Sequence, residues 1–293
     1  MAPTYAPDIA WPVARRVGLW AGGTLPEATR PEAIQEVAAL RRAAREAGQL
    51  VAKQFGPEGL DHAVVVVDRD GWHRAAESMV DGFVAAMGLT PPPTRPWTGA
   101  RRSALGVMTG VGLGVAGRQL LGQYDPVGRR LYLVAPTIMA TRRRQGIDAA
   151  DFHLWVCLHE QTHAAQFGAA PWLRDHLVGQ LAQVANGAKL DESVALMTFL
   201  EGHADLITDR AAQGRIVAIR ALRAAFRRRV GPRRRGILGA IDKSAQYRDG
   251  LAFCRAVTKR NRQALNAAFE SPANLPTLDE IAEPPAWLSR VHG

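Results

Sequence analysis

His159, Glu160 and His163 form the pattern H-E-x-x-H, and no other stretch of the sequence has residue types and spacing so well suited to chemistry. On a helix with ~100° per residue, the two histidines lie within ~40° of each other, one turn apart. Their imidazoles can therefore converge on one point. Imidazole nitrogens are common Zn²⁺ ligands, and the adjacent glutamate can accept a proton from a zinc-activated water. The pattern predicts His159 and His163 as metal ligands and Glu160 as general base.

The sequence around the motif predicts a buried helix. It begins at Asp151, ends near Gly168 and is apolar nearly all round. Between Asp151 and Arg174, Glu160 is the one residue with a fixed charge. A lone buried carboxylate costs several kcal/mol or takes up a proton, and a neighbouring divalent cation removes that problem. The alternative is that both histidines are satisfied core residues without a metal.

A third ligand is expected from the stretch Glu201-Gly202-His203-Ala204-Asp205. Glu201 and Asp205 are four residues apart and share one helix face, which favours Glu201 as ligand. Asp205 can then accept a hydrogen bond from the second ring N–H of a ligand histidine. His203 is the rival ligand. It lies ~200° round the helix from Glu201, so it replaces Glu201 only if Gly202 distorts the helix.

The elements that must position these residues are mostly helices. Prolines make residues 1–30 look like an irregular arm, and Asp68–Gly71, Thr90–Thr98, Gln123–Gly128 and Arg142–Arg144 look like turns or loops. A proline-interrupted tail is expected over Ser271–Gly293. Two strands are predicted, at His62–Val67 and Arg129–Pro136. The remaining segments predict helices: 31–54, 72–87, 103–121, 151–168, 171–184, 190–213, 214–229, 236–257 and 258–269.

A glycine pattern, G-x-G-x-x-G, occurs at Gly112, Gly114 and Gly117. A dinucleotide-binding fingerprint follows a strand and opens a helix, with an acidic residue ~20 positions further on. No clear strand precedes this pattern. The glycines at Gly106, Gly110, Gly114 and Gly117 instead favour a helix packed closely against its neighbours.

Composition and charge restrict the class of protein. The chain has 293 residues, a net charge of +10 and two cysteines, Cys157 and Cys254, which we expect to be buried free thiols. No secretory signal and no membrane-spanning run is evident, so we expect a cytoplasmic protein without a membrane partner. Ten arginines lie between Arg210 and Arg235, but aromatic residues and nucleic-acid-binding motifs are sparse there. A solvated helix end is favoured over a nucleic-acid site.

The arrangement H-E-x-x-H…E-x-x-x-D resembles the glutamate-zincin metallopeptidases, which use the later Glu as third ligand and the later Asp to orient a histidine. The chain from about Val64 is also similar to the zincin-like metallopeptidases of actinobacteria, often labelled as hydrolases or as associated with biosynthesis of the deazaflavin coenzyme. The stretches that carry this similarity are Val67–Arg69 with Gly71-Trp72, Leu121–Pro126, Leu131–Pro136, the two metal motifs, Gln246–Gly250 with Phe253, and Ser271–Ile281 with Ala286-Trp287.

The resemblance implies a mainly α (α+β) zincin-like fold, with a small sheet beside the metal helix and one Zn²⁺ per chain. We expect an N-terminal arm and helix over residues 1–60 and a metallopeptidase domain over 61–293. The strand Arg129–Pro136 is then expected to edge the cleft and pair with an extended substrate, although a plain core strand is equally compatible. The substrate would be a peptide or a small amide.

The tetrahedral intermediate needs a donor besides zinc, and Tyr247, His203 and His153 are the candidates. Tyr247 is preferred because it lies in a polar cluster within an apolar helix. Two other functions stay open from the sequence. One is a non-catalytic zinc-containing scaffold or binding protein, and the other is a nucleic-acid-associated protein that uses Arg210–Arg235.

Overall fold

Helices make up most of the chain in the computed structural model, which describes residues 5–24, 27–90, 98–217, 219, 222–224 and 243–293. Contacts group the chain into two units. The first comprises Met1–Arg42 and Ala63–Gly146, and the second comprises Ala43–His62 and Ile147–Gly293. One unit border, between His62 and Ala63, lies close to the predicted domain boundary, which itself stays a prediction. None of the described helices is long and apolar enough to cross a membrane.

The first unit combines helices with one three-stranded sheet. Its elements, which include the first part of α2, are α1 (Trp11–Ala21), α2 (Arg30–Phe55), β1 (Ala63–Val67), α3 (Arg69–Ala86), α4 (Thr98–Gly117), β2 (Gly122–Asp125), β3 (Arg130–Val134) and α5 (Ala135–Gln145). Tyr132 and Val134 of β3 pack against Trp72 and Met79 of α3. The mainly α fold with a small sheet is therefore confirmed.

Strand β3 lies in the middle of the sheet. It pairs in parallel with β1 and antiparallel with β2, giving the order β1-β3-β2. Both of its hydrogen-bonding edges are therefore used within the protein. The expectation that this strand pairs with an extended substrate is wrong, because β-addition requires a free edge.

The glycine-rich segment is helix α4, which packs against α1. A Cβ added to Gly110 would lie 2.5 Å from the carbonyl oxygen of Ala14, and one added to Gly114 would lie 2.7 Å from that of Gly18. Larger side chains at these two positions would separate the helices. The packing interpretation is confirmed for Gly106, Gly110 and Gly114, whereas a Cβ at Gly112 would meet no atom within 4 Å. The pattern lies inside a helix rather than at a phosphate-binding turn.

The second unit is helical in its described residues. Besides the last part of α2, it contains α6 (Ala149–Ala169), α7 (Trp172–Ala185), α8 (Asp191–Ala211), α9 (Lys243–Arg260), 3₁₀ helices at Ala264–Phe269 and Pro272–Asn274, α10 (Leu278–Ala282) and α11 (Pro284–His292). Phe199, Phe253 and Trp287 are fully buried at the centre of its core. Cys157 and Cys254 are buried free thiols, as expected.

Several segments predicted as irregular arms, turns or tails belong to helices or strands in the structure. Residues 1–30 contain helix α1, because Pro12 occupies its first turn, where proline is tolerated. The predicted turn at Asp68–Gly71 is the start of α3, with the Asp68 side chain accepting a hydrogen bond from the Gly71 N–H. Arg142–Arg144 form the last turn of α5. The tail after Ser271 forms short helices, and β2 occupies part of the predicted Gln123–Gly128 turn.

Two glycines bring helices α8 and α9 into direct backbone contact. A Cβ at Gly202 would overlap the backbone of Gly250, and a Cβ at Gly250 would overlap the carbonyl of Thr198. Gly202 therefore serves close packing within a regular helix. The helix distortion that the His203 alternative requires is not observed.

We predict that Gly250→Ala lowers the free energy of unfolding by about 1–3 kcal/mol, because the new methyl group forces α8 and α9 apart. The matched control is Gly179→Ala in α7, where an added Cβ meets no atom within 4 Å. That variant should gain about 0.5–1 kcal/mol from helix propensity. Urea denaturation measures both, and equal stability of the two variants would contradict the packing argument.

Candidate metal centre

Helix α6 carries the H-E-x-x-H residues through a mostly buried environment. Its N-cap is Asp148, whose side chain accepts a hydrogen bond from the Asp151 N–H, so the predicted cap at Asp151 is one turn late. The side chains of His159 and His163 are 12% and 15% exposed. Their Nε2 atoms lie 3.2 Å apart, with the ring planes nearly perpendicular. The two rings therefore present nitrogen atoms to one place.

Helix α8 brings Glu201 to the same place. Its Oε2 atom lies 3.1 Å from His159 Nε2 and 3.7 Å from His163 Nε2. Among the described residues, His159, His163 and Glu201 are a His/Cys/Asp/Glu group whose potential ligand atoms all lie within 4.8 Å of one another. The structure thus brings together the three residues that the sequence predicts as ligands.

The protonation of the cluster follows from its burial and its carboxylates. Burial disfavours the charged form of His159, but hydrogen bonds to Asp205 and Glu201 outweigh it and raise the pKa to about 10. Burial also opposes ionisation of Glu201, yet hydrogen bonds from both histidines lower its pKa well below the usual value. Without a metal, His159 is therefore a cation beside a carboxylate. A metal ion binds only the neutral ring and would displace the Nε2 proton.

Two polar side chains orient the imidazoles. The Nδ1–H of His159 faces Asp205 Oδ1 at 3.5 Å, and the Nδ1–H of His163 donates to Gln166 Oε1 at 2.9 Å. The Gln166 amide is itself fixed, because its Nε2 donates to the Leu200 carbonyl at 2.8 Å. These contacts hold Nδ1 of each ring away from the cluster and leave Nε2 for a ligand bond.

The donor set fits zinc. A tetrahedral ion with bonds of ~2.0–2.2 Å holds neighbouring ligand atoms roughly 3.4 Å apart. The three separations in the cluster are 3.1, 3.2 and 3.7 Å. Two imidazoles with one carboxylate is also a known ligand set of catalytic zinc, which leaves a fourth position for water. The residues present can hold the ion with only small adjustments.

His203 lies outside this cluster, on another side of α8. Its ring packs against Phe55 and Phe269, with ring centroids 4.7 and 4.9 Å away, and its Nδ1 accepts a hydrogen bond from Gln166 Nε2 at 3.1 Å. Burial lowers the pKa of His203 to about 3, so the ring is neutral. Glu201, not His203, therefore lies in the cluster with the two histidines, and His203 contacts Gln166 on the side of that residue away from the cluster.

The other predicted catalytic residues have different positions. Glu160 is 8% exposed on α6, and on a regular helix it lies ~60° from His163, beside the metal-facing stripe. His153 is buried on the same helix, ~120° from His159. Tyr247 belongs to α9, but its side chain lies outside the part of the chain that the structure describes. Its role as an oxyanion donor stays a prediction.

One residue of the arginine-rich segment supports the site from behind. Arg223 is buried, its Nη2 donates to the backbone oxygen of Asp205 at 2.7 Å, and its Nε lies 2.8 Å from Asp209 Oδ1. Arg215 of the same segment faces Glu46 at 3.6 Å. Seven of the ten arginines fall outside the described residues. Arg223 thus differs from the solvated helix end predicted for the segment, whereas for the seven arginines outside the described residues that prediction stays a prediction.

Sequence reasoning missed Gln166 and Arg223. Gln166 had a detectable signal, since a residue three positions after His163 on a helix is its neighbour and this residue is a polar group on an apolar helix. Arg223 had no signal in the sequence, because its contact with Asp205 joins residues 18 positions apart that do not lie on one helix.

Comparisons with known proteins identify a similar solved structure and a protein family. A solved structure described as "a putative hydrolase with a novel fold" from Chloroflexus aurantiacus is similar, with a TM-score of 0.75 and 28% sequence identity. The match covers 96% of this chain and 98% of that one. No curated protein matches the chain.

The sequence also matches a protein-family model, described as zincin-like metallopeptidase, over residues 9–195 and 190–288. The matched residues include both the first unit and the metal cluster, so the family covers nearly the whole chain. The chain belongs to the zincin-like metallopeptidase family.

Proposed function

We propose that this protein is a zinc-dependent hydrolase, acting as a peptidase, with one Zn²⁺ held by His159, His163 and Glu201. The observation that carries the proposal is the convergence of three ligand atoms from two buried helices, with both imidazoles hydrogen-bonded through Nδ1. Without a metal-binding role, a buried carboxylate between two histidines would add little to the stability of the folded protein.

Each residue of the proposed site has a separate role in hydrolysis. Zinc bound there would act as a Lewis acid, polarising a carbonyl and lowering the pKa of water. Glu160 accepts the proton of the attacking water at its carboxylate and delivers it to the leaving amine. Asp205 and Gln166 keep His159 and His163 in the tautomer and orientation that a ligand bond needs.

The substrate proposed is a peptide or a small amide. Because strand β3 has no free edge, a substrate has to be bound by other means than pairing with this strand. His203 is a poor oxyanion donor, since it is 2% exposed and its Nδ1 faces Gln166. Tyr247 is the remaining preferred candidate for that role. The cytoplasmic location and the link to deazaflavin-coenzyme biosynthesis stay predictions.

Two alternative functions, a zinc-containing scaffold and a nucleic-acid-associated protein, account for fewer of the observed residues. A scaffold protein would bind zinc without needing a base at Glu160. A nucleic-acid-associated protein would rely on the arginines of the segment 210–235, of which Arg223 is committed to Asp205 and Asp209. Neither alternative gives a role to Glu160, the glutamate next to His159, and this favours the hydrolase.

We predict that Glu160→Gln keeps its zinc but cleaves peptides at least ~100-fold more slowly, because the amide preserves shape and cannot accept a proton. The assay follows the cleavage of a complex peptide mixture by mass spectrometry, with zinc content measured in parallel. Glu192→Gln, an exposed Glu on α8, is the matched control and should retain both.

Three outcomes would contradict the assignment. Loss of zinc from Glu160→Gln would make Glu160 a ligand. Full activity of that variant would remove its role as base. Failure of the zinc-loaded wild type to cleave any peptide would favour the scaffold function.

A second prediction concerns Gln166. We expect Gln166→Ala to weaken zinc affinity by ~10–100-fold, because His163 loses the acceptor that fixes its ring. Gln161→Ala is the control. Gln161 is also buried on α6, but its amide donates to the Ala44 carbonyl. Competition with a zinc chelator measures both affinities, and equal losses in the two variants would show that Gln166 acts only through stability.

A further inference from the structure

The first unit contains a cavity of about 610 Å³ whose charged lining is entirely basic among the residues that the structure describes. Four arginines line the cavity, three from helices α3 and α5 and one from the turn that follows α4. Arg69 is the first residue of α3, Arg118 directly follows α4, and Arg143 and Arg144 lie in the last turn of α5. No residue of the metal cluster lines this cavity, so the inference does not rest on the proposed function.

Arg69 is the buried member of the group, with 6% of its surface exposed. Its Nη1 donates to the carbonyl oxygens of Gly22 and Gly23 at 2.7 and 2.8 Å, and its buried Nε has no partner among the described residues. A buried guanidinium held only by neutral carbonyls is costly unless an anion compensates its charge.

Arg118 adds a second positive charge beside it. Its Nη2 lies 3.3 Å from where a Cβ of Gly23 would be, so the guanidinium lies against the glycine backbone. Gly23 has a φ of +67°, a conformation that favours glycine. Burial and the charge of Arg118 both lower the pKa of Arg69, as expected for like charges that converge.

One member of the group, Arg143, is paired with a carboxylate that does not line the cavity. Glu32 Oε1 lies 3.0 Å from Arg143 Nη2, while none of the described residues that line the cavity is acidic. Arg143 and Arg144 at the end of α5 also interact favourably with the helix dipole. That dipole explains their place on α5 but does not explain why Arg69 and Arg118 converge on the same cavity.

We propose that this cavity binds a small phosphate-bearing molecule, with Arg69 and Arg118 holding the phosphate and Arg143 and Arg144 completing the site. Guanidinium groups match phosphate oxygens with paired N–H donors, and a tetrahedral dianion can accept from several directions at once. A cavity of this volume is in the usual range for small-molecule sites and holds more than the phosphate alone. The buried position of Arg69, with 6% of its surface exposed, favours a small ligand that can enter the cavity over a nucleic-acid backbone, which would reach only the exposed arginines.

Isothermal titration of the full-length protein with inorganic phosphate, at constant ionic strength, tests this proposal. We expect one phosphate per chain with a dissociation constant below ~1 mM, and tighter binding of glycerol 3-phosphate. Arg118→Ala and Arg144→Ala should each weaken binding by ~10-fold, since each removes charge-assisted hydrogen bonds. Both side chains are exposed, so folding should be preserved, which thermal denaturation checks.

The controls separate this site from general charge and from the metal. Arg101→Ala removes an exposed arginine of α4 that does not line the cavity, and it should leave the affinity unchanged. Zinc content measured before and after titration should not change. The proposal is overturned if no phosphate binds up to ~10 mM, or if Arg101→Ala weakens phosphate binding as much as Arg118→Ala does. It is also overturned if succinate binds with the same affinity as phosphate, or if a single-stranded oligonucleotide binds and phosphate does not.

Discussion

The contact between the Glu201 carboxylate and the two imidazoles of α6 is the constraint on which the second unit depends. A carboxylate as buried as that of Glu201, whose side chain is 14% exposed, is unfavourable unless positive charge lies beside it. In the metal-free protein, the proton on His159 provides that charge and holds Glu201 ionised. A divalent cation provides it more completely. Burial, which would destabilise an isolated carboxylate, here strengthens the attraction of the cluster for a metal.

The same constraint explains the polar residues behind the cluster. Asp205 faces His159 and is held in turn by Arg223, while Arg255 and Arg223 both pair with Asp209 one turn further along α8. On the other side, Gln166 joins His163 to the Leu200 carbonyl and to neutral His203. Each link satisfies a buried polar group. The geometry of the His159, His163 and Glu201 cluster is therefore fixed by two helices and their hydrogen bonds rather than by a loop.

Close helix packing makes this arrangement possible. Gly202, next to Glu201 in the sequence, lets α9 approach α8 until their backbones touch at Gly250. The first unit uses glycine in the same way where α4 meets α1, at Gly110 and Gly114. In both places the glycines allow two helices to pack closely, and they form neither a ligand-binding loop nor a hinge.

How much the sequence could predict depends on the range of the interaction. The His159–His163 spacing and the Glu201–Asp205 spacing are local, so helix periodicity alone places each pair on one face. The long-range contacts were not predictable, since neither the partners of Arg223 nor the central position of β3 follows from a pattern. Proline and aspartate signals misled in α1 and α3, because the same residues both break helices and begin them.

The most direct test of the central claim is a crystal structure of the zinc-loaded protein with anomalous diffraction measured on both sides of the zinc absorption edge. We predict one strong anomalous peak per chain, within ~2.0–2.2 Å of His159 Nε2, His163 Nε2 and a Glu201 carboxylate oxygen. Absence of a peak after zinc loading, or a peak bound by His203 in place of Glu201, would contradict it.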